Sequence, residues 1–274
     1  MKDRRRTASD VSHDIVVGGI ALLGMTILIV PVLVVLITSL STSQALKFPP
    51  PDLSLQWYEA LFDPIQSRQI HIAASNSLKV AIWATVFATV FSVLAAAAIA
   101  RVRAPSARAL EATFMAPLIL PALSYGLATL MFFSILGYRP SLFLLTIGHL
   151  VVIAPFVFRT TLASLTQLEP ALLEGSASLG ANRFYTFRRV TLPIIAPGIV
   201  AGAFLAFVSS LDNVPVSLFL TNARTDMLPI RMWGMIESTL DVRVAAISGL
   251  LIVFVFVLMV VLDRLVGFTR RVGG

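Results

Sequence analysis

Residues 141–220 read SLFLLTIGHLVVIAPFVFRTTLASLT, then QLEPALLEGSASLGANRFYTFRRV, then TLPIIAPGIVAGAFLAFVSSLDNVPVSLFL. Two long apolar stretches enclose a polar segment at 167–190. An uncharged apolar run of roughly 18 or more residues can cross about 30 Å of hydrocarbon as a helix. The polar, cationic and small residues between the runs have little reason to sit in lipid unless something outside the bilayer grips them. The chain therefore leaves the membrane at this segment and re-enters at TLPIIAP, whose prolines disturb the helix locally.

Composition extends this reading to the whole chain. Of its 274 residues, 57% are hydrophobic and 13% are charged, against about 25% charged in a soluble domain. A water-facing globule of this size would lack the polar residues to cover itself. The apolar runs are continuous rather than alternating, which excludes a transmembrane β-barrel. The expected fold class is therefore all-α, a polytopic membrane protein with six spans near 15–40, 73–100, 110–136, 141–166, 191–220 and 244–267. The layout is an N-terminal tail at 1–14, a transmembrane domain at 15–268 with the loop 167–190 inside it, and a tail at 269–274. Pro31, Pro117, Pro121, Pro155 and Pro197 should kink or break their spans locally. The opening MKDRRRTASDVSHD superficially resembles a signal peptide, but Ile15 to Ile37 is too long for an h-region and no A-x-A-like site follows. It reads as an uncleaved first span.

Lysine and arginine set the orientation. Lys2, Arg4, Arg5, Arg6, Arg101, Arg103, Arg108, Arg159, Arg183, Arg188, Arg189, Arg264, Arg270 and Arg271 fall on the side of the N-terminus, 14 of the 21 cations. Lys47, Arg68, Lys79, Arg139, Arg224, Arg231 and Arg243, the remaining 7, fall on the other. Both termini and the 167–190 segment are thus expected in the cytoplasm. Moving Arg159, which lies inside the fourth apolar run, would not reverse the result. The same distribution accounts for the net charge of +7 without any nucleic-acid partner. The chain has no cysteine, which excludes disulfides, thiolate metal sites and cysteine nucleophiles. His13, His71 and His149 share no metal-ligand spacing and are assigned no site. In the outer 41–72 loop, PPPDLSLQWYEALF reads as a short surface helix and a structural cap.

Within the polar segment, Pro170 to Leu179 favours a short helix. Pro170 sits early, and Glu174 is placed near the N-terminal dipole. Gly180 permits a turn, and Ala181 to Val190 carries Phe184, Phe187, Arg188 and Arg189 at helical spacing. Two short helices at an angle with exposed apolar residues would plug a groove on another protein. A solvated basic loop fits the spacing equally well.

The residues themselves resemble a known family. The segment is similar to the EAA loop of binding-protein-dependent ABC transporter permeases, whose pattern is E-A-A, three residues, Gly, nine residues, I-x-L-P. This chain has Glu174, Gly175, Ser176, three residues, Gly180, nine residues, then Val190, Thr191, Leu192, Pro193. Gly175 and Ser176 replace the alanines, which keeps both positions small but loosens the helix. Asn76-Ser77-Leu78 opening the second span, Ala97 to Arg101 closing it, and MAPLILPALSYGLA in the third also resemble these permeases. The resemblance implies a MetI-like fold and a second, non-identical permease subunit. It further implies two cytoplasmic ABC ATPase subunits that receive the loop, and a periplasmic solute-binding protein, all at the bacterial inner membrane. By carry-over, Glu174 would pair with a cation on the ATPase, Gly180 would allow the turn, and Leu192 and Pro193 would fix the start of the fifth span. No G-x-x-x-x-G-K-[ST] occurs in the chain, so ATP and Mg would be held by the partner ATPase, with no cofactor on this chain and no catalytic residues.

A charge inside an apolar run costs roughly 2.5–3.5 kcal/mol on insertion scales and is a functional candidate by default. Asp212, in SSLDNVPVSLFL, is the clearest case. It falls about 30 Å along a helix begun near Leu192, with Pro215 ending or bending that helix. It would bind a cation, gate a cavity, or simply cap exposed backbone donors. This stretch, with MLPIRMWGMI, resembles the second permease of the spermidine/putrescine branch, which carries two adjacent acids where this chain has Asp212 and Asn213. The resemblance implies polyamines or related amine and amino compounds as solute, with one of the two charges missing. Tyr125 and Trp233 are weaker candidates for stacking on a ligand, and Glu111 and Arg108 read as dipole or salt-bridge groups. An ion-driven secondary transporter or channel would need paired broken helices with mid-bilayer ionisable groups. An intramembrane enzyme would need a nucleophile with its base, or a metal cluster.

Overall fold

The computed structural model of the chain describes residues 8–100 and 105–272. Lys2, Arg4, Arg5, Arg6, Arg101 and Arg103, used above for orientation and for the close of the second span, lie outside the described residues. Among the described residues twelve α-helices follow one another: α1 Ala8–Thr38, α2 Gln56–Phe62, α3 Arg68–Ile99, α4 Pro105–Met115, α5 Ala122–Ile135, α6 Leu142–Thr166, α7 Pro170–Ser178, α8 Arg183–Thr186, α9 Leu192–Leu211, α10 Val214–Leu220, α11 Leu228–Thr239 and α12 Arg243–Val272. The only β pairing among the described residues is two isolated bridges, Ser41 with Leu53 and Ala45 with Asp241.

Among the described residues five helical stretches are long and apolar enough to span a membrane, and a sixth arises if α4 and α5 count as one broken span. Six spans are therefore retained, with one correction of shape. The third is not a single helix over 110–136: α4 ends in a 3-10 turn at Ala116–Leu118 and meets α5 at 102°. Pro117 and Pro121 each remove a backbone donor and clash with the preceding turn, and four residues apart they end one helix and restart another. Pro31, Pro155 and Pro197 stay inside continuous helices, so no break occurs there. The last helix continues to Val272, past the expected end of its span.

The chain divides into two compact units, and α11 and α12 each contribute to both. One unit contains α1, the 39–66 loop with α2, and residues 235–253. Here the Ser39 hydroxyl lies 2.8 Å from Tyr58 Oη, Trp57 Nε1 donates to Ser41 O at 2.7 Å, and Gln56 Nε2 donates to Thr42 O at 2.9 Å. The short helix of the 41–72 loop is thus pinned by its own polar side chains to the loop backbone. Asp241 accepts from Arg243 N and the Arg243 guanidinium, the shortest contact being 2.6 Å, at the first turn of α12. Burial pushes the Asp241 carboxyl up; the hydrogen bonds and charge of Arg243 outweigh it and hold the group below its ordinary value.

The other unit contains residues 67–234 and the part of α12 from Phe254 onward. Its centre is α3, α6 and α9, packed pairwise. Small residues make the close approach possible. Ala73, Ala81, Ala84, Ala88 and Ala96 of α3 are fully enclosed. A side chain at Gly202 or Gly198 of α9 would run into Thr160 or Ser164 of α6. Ser92 Oγ ties α3 to Ala154 O of α6 at 3.0 Å, and Phe114 of α4 stacks on Phe158 of α6 with centroids 4.7 Å apart.

Candidate functional site

The candidate residues other than Tyr125 fall at the two ends of one helical run. Helix continues without interruption from Arg183 to Leu211, through α8, a π-helical stretch at Phe187–Thr191, and α9. At 1.5 Å per residue that is about 43 Å. The 170–193 elbow lies at its start and the Asp212–Asn213 break at its end.

At the elbow, α7 starts as expected with Pro170 in its first turn, where a missing N–H costs nothing. Glu174 is not at that end. The N-cap is Glu169, and the first turn holds no acid, so the dipole argument belongs to Glu169, whereas Glu174 is an exposed mid-helix residue. The C-terminus closes in a Schellman arrangement: Gly180 N donates to Ala177 O at 2.9 Å and Ala181 N to Ser176 O at 3.1 Å. Gly180 has φ +80°, the left-handed backbone that glycine adopts without strain. Asn182 then caps α8, its side chain accepting from Tyr185 N at 2.8 Å. Ser176 Oγ lies 2.9 Å from the buried Thr186 Oγ1, tying the two limbs together. Gly175 is open on all sides. The apolar tip is bare: Leu179 is 90% and Phe184 72% exposed, flanked by exposed Arg183, Arg188 and Arg189.

The second limb is not a separate short helix, and Leu192 and Pro193 do not start the fifth helix, which begins nine residues earlier at Arg183. Proline in a first turn fits a fresh start, but the π-helical stretch before Leu192 carries the chain through instead.

At the other end, α9 stops at Leu211 and Asp212 is exposed. The break precedes Pro215, which sits in the first turn of α10. The capping role belongs to Asn213, whose side chain accepts from Val216 N at 3.0 Å. Tyr125, half-buried on α5, donates its hydroxyl to Gly148 O of α6 at 3.1 Å. Trp233 is exposed on α11, and Arg108 and Glu111 are exposed on α4. Arg159 is exposed on the side of α6. Among the described residues no group of three His, Asp or Glu side chains could hold a metal ion.

His149 shares no metal-ligand spacing with the other histidines, yet it is fully buried between Ser210 and Ser217. The signal that would have found it is the cost of any ionisable group inside an apolar run.

A model of the family described as "Binding-protein-dependent transport system inner membrane component" matches residues 88–271. The chain belongs to that family. As an inner-membrane component of a binding-protein-dependent transport system, it is a permease subunit rather than an enzyme. It is similar to the spermidine/putrescine transport system permease protein PotC of Escherichia coli (strain K12), with 27% identity over 247 residues, covering 90% of this chain and 91% of that one. It is also similar to the sulfate transport system permease protein CysT of Salmonella typhimurium, with 28% identity over 81% of this chain and 86% of that one. In fold it matches a chain from the crystal structure of a bacterial ABC transporter involved in the import of the acidic polysaccharide alginate. That match has TM-score 0.68 and 15% identity, over 96% of this chain and 99% of that chain.

Proposed function

We propose that this permease subunit works in an ATP-driven importer of polyamines or related small amine and amino compounds, and that Glu174, Gly175, Ser176, Gly180, Leu192 and Pro193 belong to its ATPase-coupling elbow. The observation that carries the coupling role is the elbow's form: a tip of exposed Leu179 and Phe184 on a limb that runs unbroken to Leu211. Exposed apolar side chains on a rigid helix end are suited to seating in a groove. An unbroken run of about 43 Å passes displacement at one end to Asp212 at the other.

The assembly would contain two cytoplasmic ATPase subunits that bind ATP and Mg, a non-identical sister permease, and a periplasmic binding protein, with both termini of this chain in the cytoplasm. Asp212, Asn213 and Tyr125 would border the solute's path. The likeness to PotC favours a polyamine. The likeness to CysT favours an oxyanion as the second reading, and the single carboxylate at Asp212 is compatible with a solute of lower positive charge.

The test is reconstitution. Copurification with an ATPase, whose activity rises when loaded binding protein is added, is the expected result; solute accumulation that persists after the ATPase is removed would overturn the reading. Thermal-shift screening of the cognate binding protein against polyamines, amino acids and sulfate separates the solute classes.

A further inference from the structure

The backbone bonds across the α9–α10 break are of uneven length: Val214 N donates to Asp212 O at 3.0 Å. Asp212 N reaches Val208 O at 3.3 Å and Asn213 N reaches Ser210 O at 3.4 Å, long for amide hydrogen bonds. The Asn213 side chain adds a cap by accepting from Val216 N at 3.0 Å. The tie that joins α9 to α10 from outside the break comes from α6. His149 Nδ1 lies 2.9 Å from Ser210 Oγ, at the end of α9, and its Nε2 lies 3.2 Å from Ser217 Oγ, in α10. All three side chains have no exposed surface. A neutral imidazole carries one donor and one acceptor, and a serine hydroxyl serves as either. Both bonds can therefore form at once, with no net charge introduced into the core.

The neighbouring contacts converge on the same point. A side chain at Gly148 would meet Leu220 Cδ1 at 2.8 Å and Val216 Cγ1 at 3.0 Å, so α10 lies close against α6 here. A side chain at Gly126 of α5 would meet Pro215 O at 2.6 Å. Tyr125 donates to the Gly148 carbonyl. Four helices, α5, α6, α9 and α10, thus meet around two consecutive residues of α6. The junction is closed to solute, and its outward consequence is the direction in which the exposed Asp212 points.

We propose that His149 is the positioning residue for the α9–α10 break, holding Ser210 and Ser217 at fixed separation and thereby aiming Asp212. A leucine would fill the space but leave two serine hydroxyls in apolar surroundings and remove the side-chain tie between α9 and α10. The functional consequence rests on the reading of Asp212 as part of the solute path; the positioning itself does not.

The absence of cysteine makes the test clean. Spin labels at Leu205→Cys and Leu218→Cys, both partly exposed and on either side of the break, report its geometry by pulsed electron resonance in the full-length chain reconstituted with its partner subunits. The parent should give one narrow distance. His149→Leu should widen that distribution at least twofold, and His149→Gln, which keeps a donor and an acceptor, should restore most of the narrowness. If His149→Leu fails to assemble, the Ser210→Ala/Ser217→Ala double variant replaces it, with the same widening expected. An unchanged distribution in the testable variant overturns the proposal. In parallel, spermidine uptake is measured for Asp212→Asn: unaltered uptake would overturn the path reading and leave the positioning role intact.

Discussion

Gly175 and Gly180 stand five residues apart in one elbow, and a methyl group should have opposite effects at the two. Gly175 is inside α7 with open space around it, so Gly175→Ala should stabilise the elbow by about 0.5–1 kcal/mol, the ordinary glycine penalty within a helix. Gly180 also has space, but its φ of +80° strains any other residue by roughly 1–2 kcal/mol. Thermal unfolding of the purified chain should therefore rise for Gly175→Ala and fall for Gly180→Ala; shifts of the same sign would refute the assignment of the turn. Ser176 shows what a residue-level reading can miss. As a replacement for alanine it reads as a loosening, but its hydroxyl meets Thr186 across the turn. Gly180 was legible because few residues tolerate left-handed backbone. The caps Glu169 and Asn182 were not, because each depends on where neighbouring helices begin.

Among the elements, α9 against α6 carries the sharpest steric demand. Gly202→Val should cost several kcal/mol, because the new side chain meets Thr160 and the Val157 backbone rather than a flexible tip. A loss no larger than that of an exposed glycine would contradict the packing. The start of α12 makes a different demand. The Asp241 carboxyl is held below its ordinary value, so its contribution is present above pH about 4 and is lost as pH falls through the lowered value. Asp241→Asn should lower the midpoint of thermal unfolding at neutral pH, and the gap to the parent should close on acidification. A gap that stays constant would exclude the ion pair as its cause. The long elements could be read from continuous hydropathy, which needs no tertiary information. The 102° turn between α4 and α5 was visible only as two prolines, since proline states where a donor is missing and not how far the chain then bends. The π-helical passage at 187–191 left no sequence signal that periodicity could detect.

For the molecule as a whole, the two candidate ends must act in series if the proposed function holds. Glu174→Lys, an exposed change on α7, should leave membrane insertion intact while uncoupling or dissociating the ATPase. Wild-type transport in that variant would remove the coupling role. Asp212→Asn should reduce uptake of a cationic solute severalfold with ATPase binding unchanged, and wild-type uptake would return Asp212 to a merely structural place. The family and the membrane fold were legible from hydropathy and one spaced pattern. The His149 junction was not, because it joins residues 61 and 68 positions apart, a proximity that only folding creates.

No residue in the most apolar stretch of α1 is buried. The exposed faces of that stretch await a neighbour from outside the polypeptide, and saturation mutagenesis of Ile15 to Leu33 would reveal which neighbour it has. Uniform tolerance of every aliphatic and aromatic replacement, with charges alone excluded, is the fingerprint of fluid acyl chains. Intolerance recurring every third or fourth residue is the fingerprint of another protein's helix.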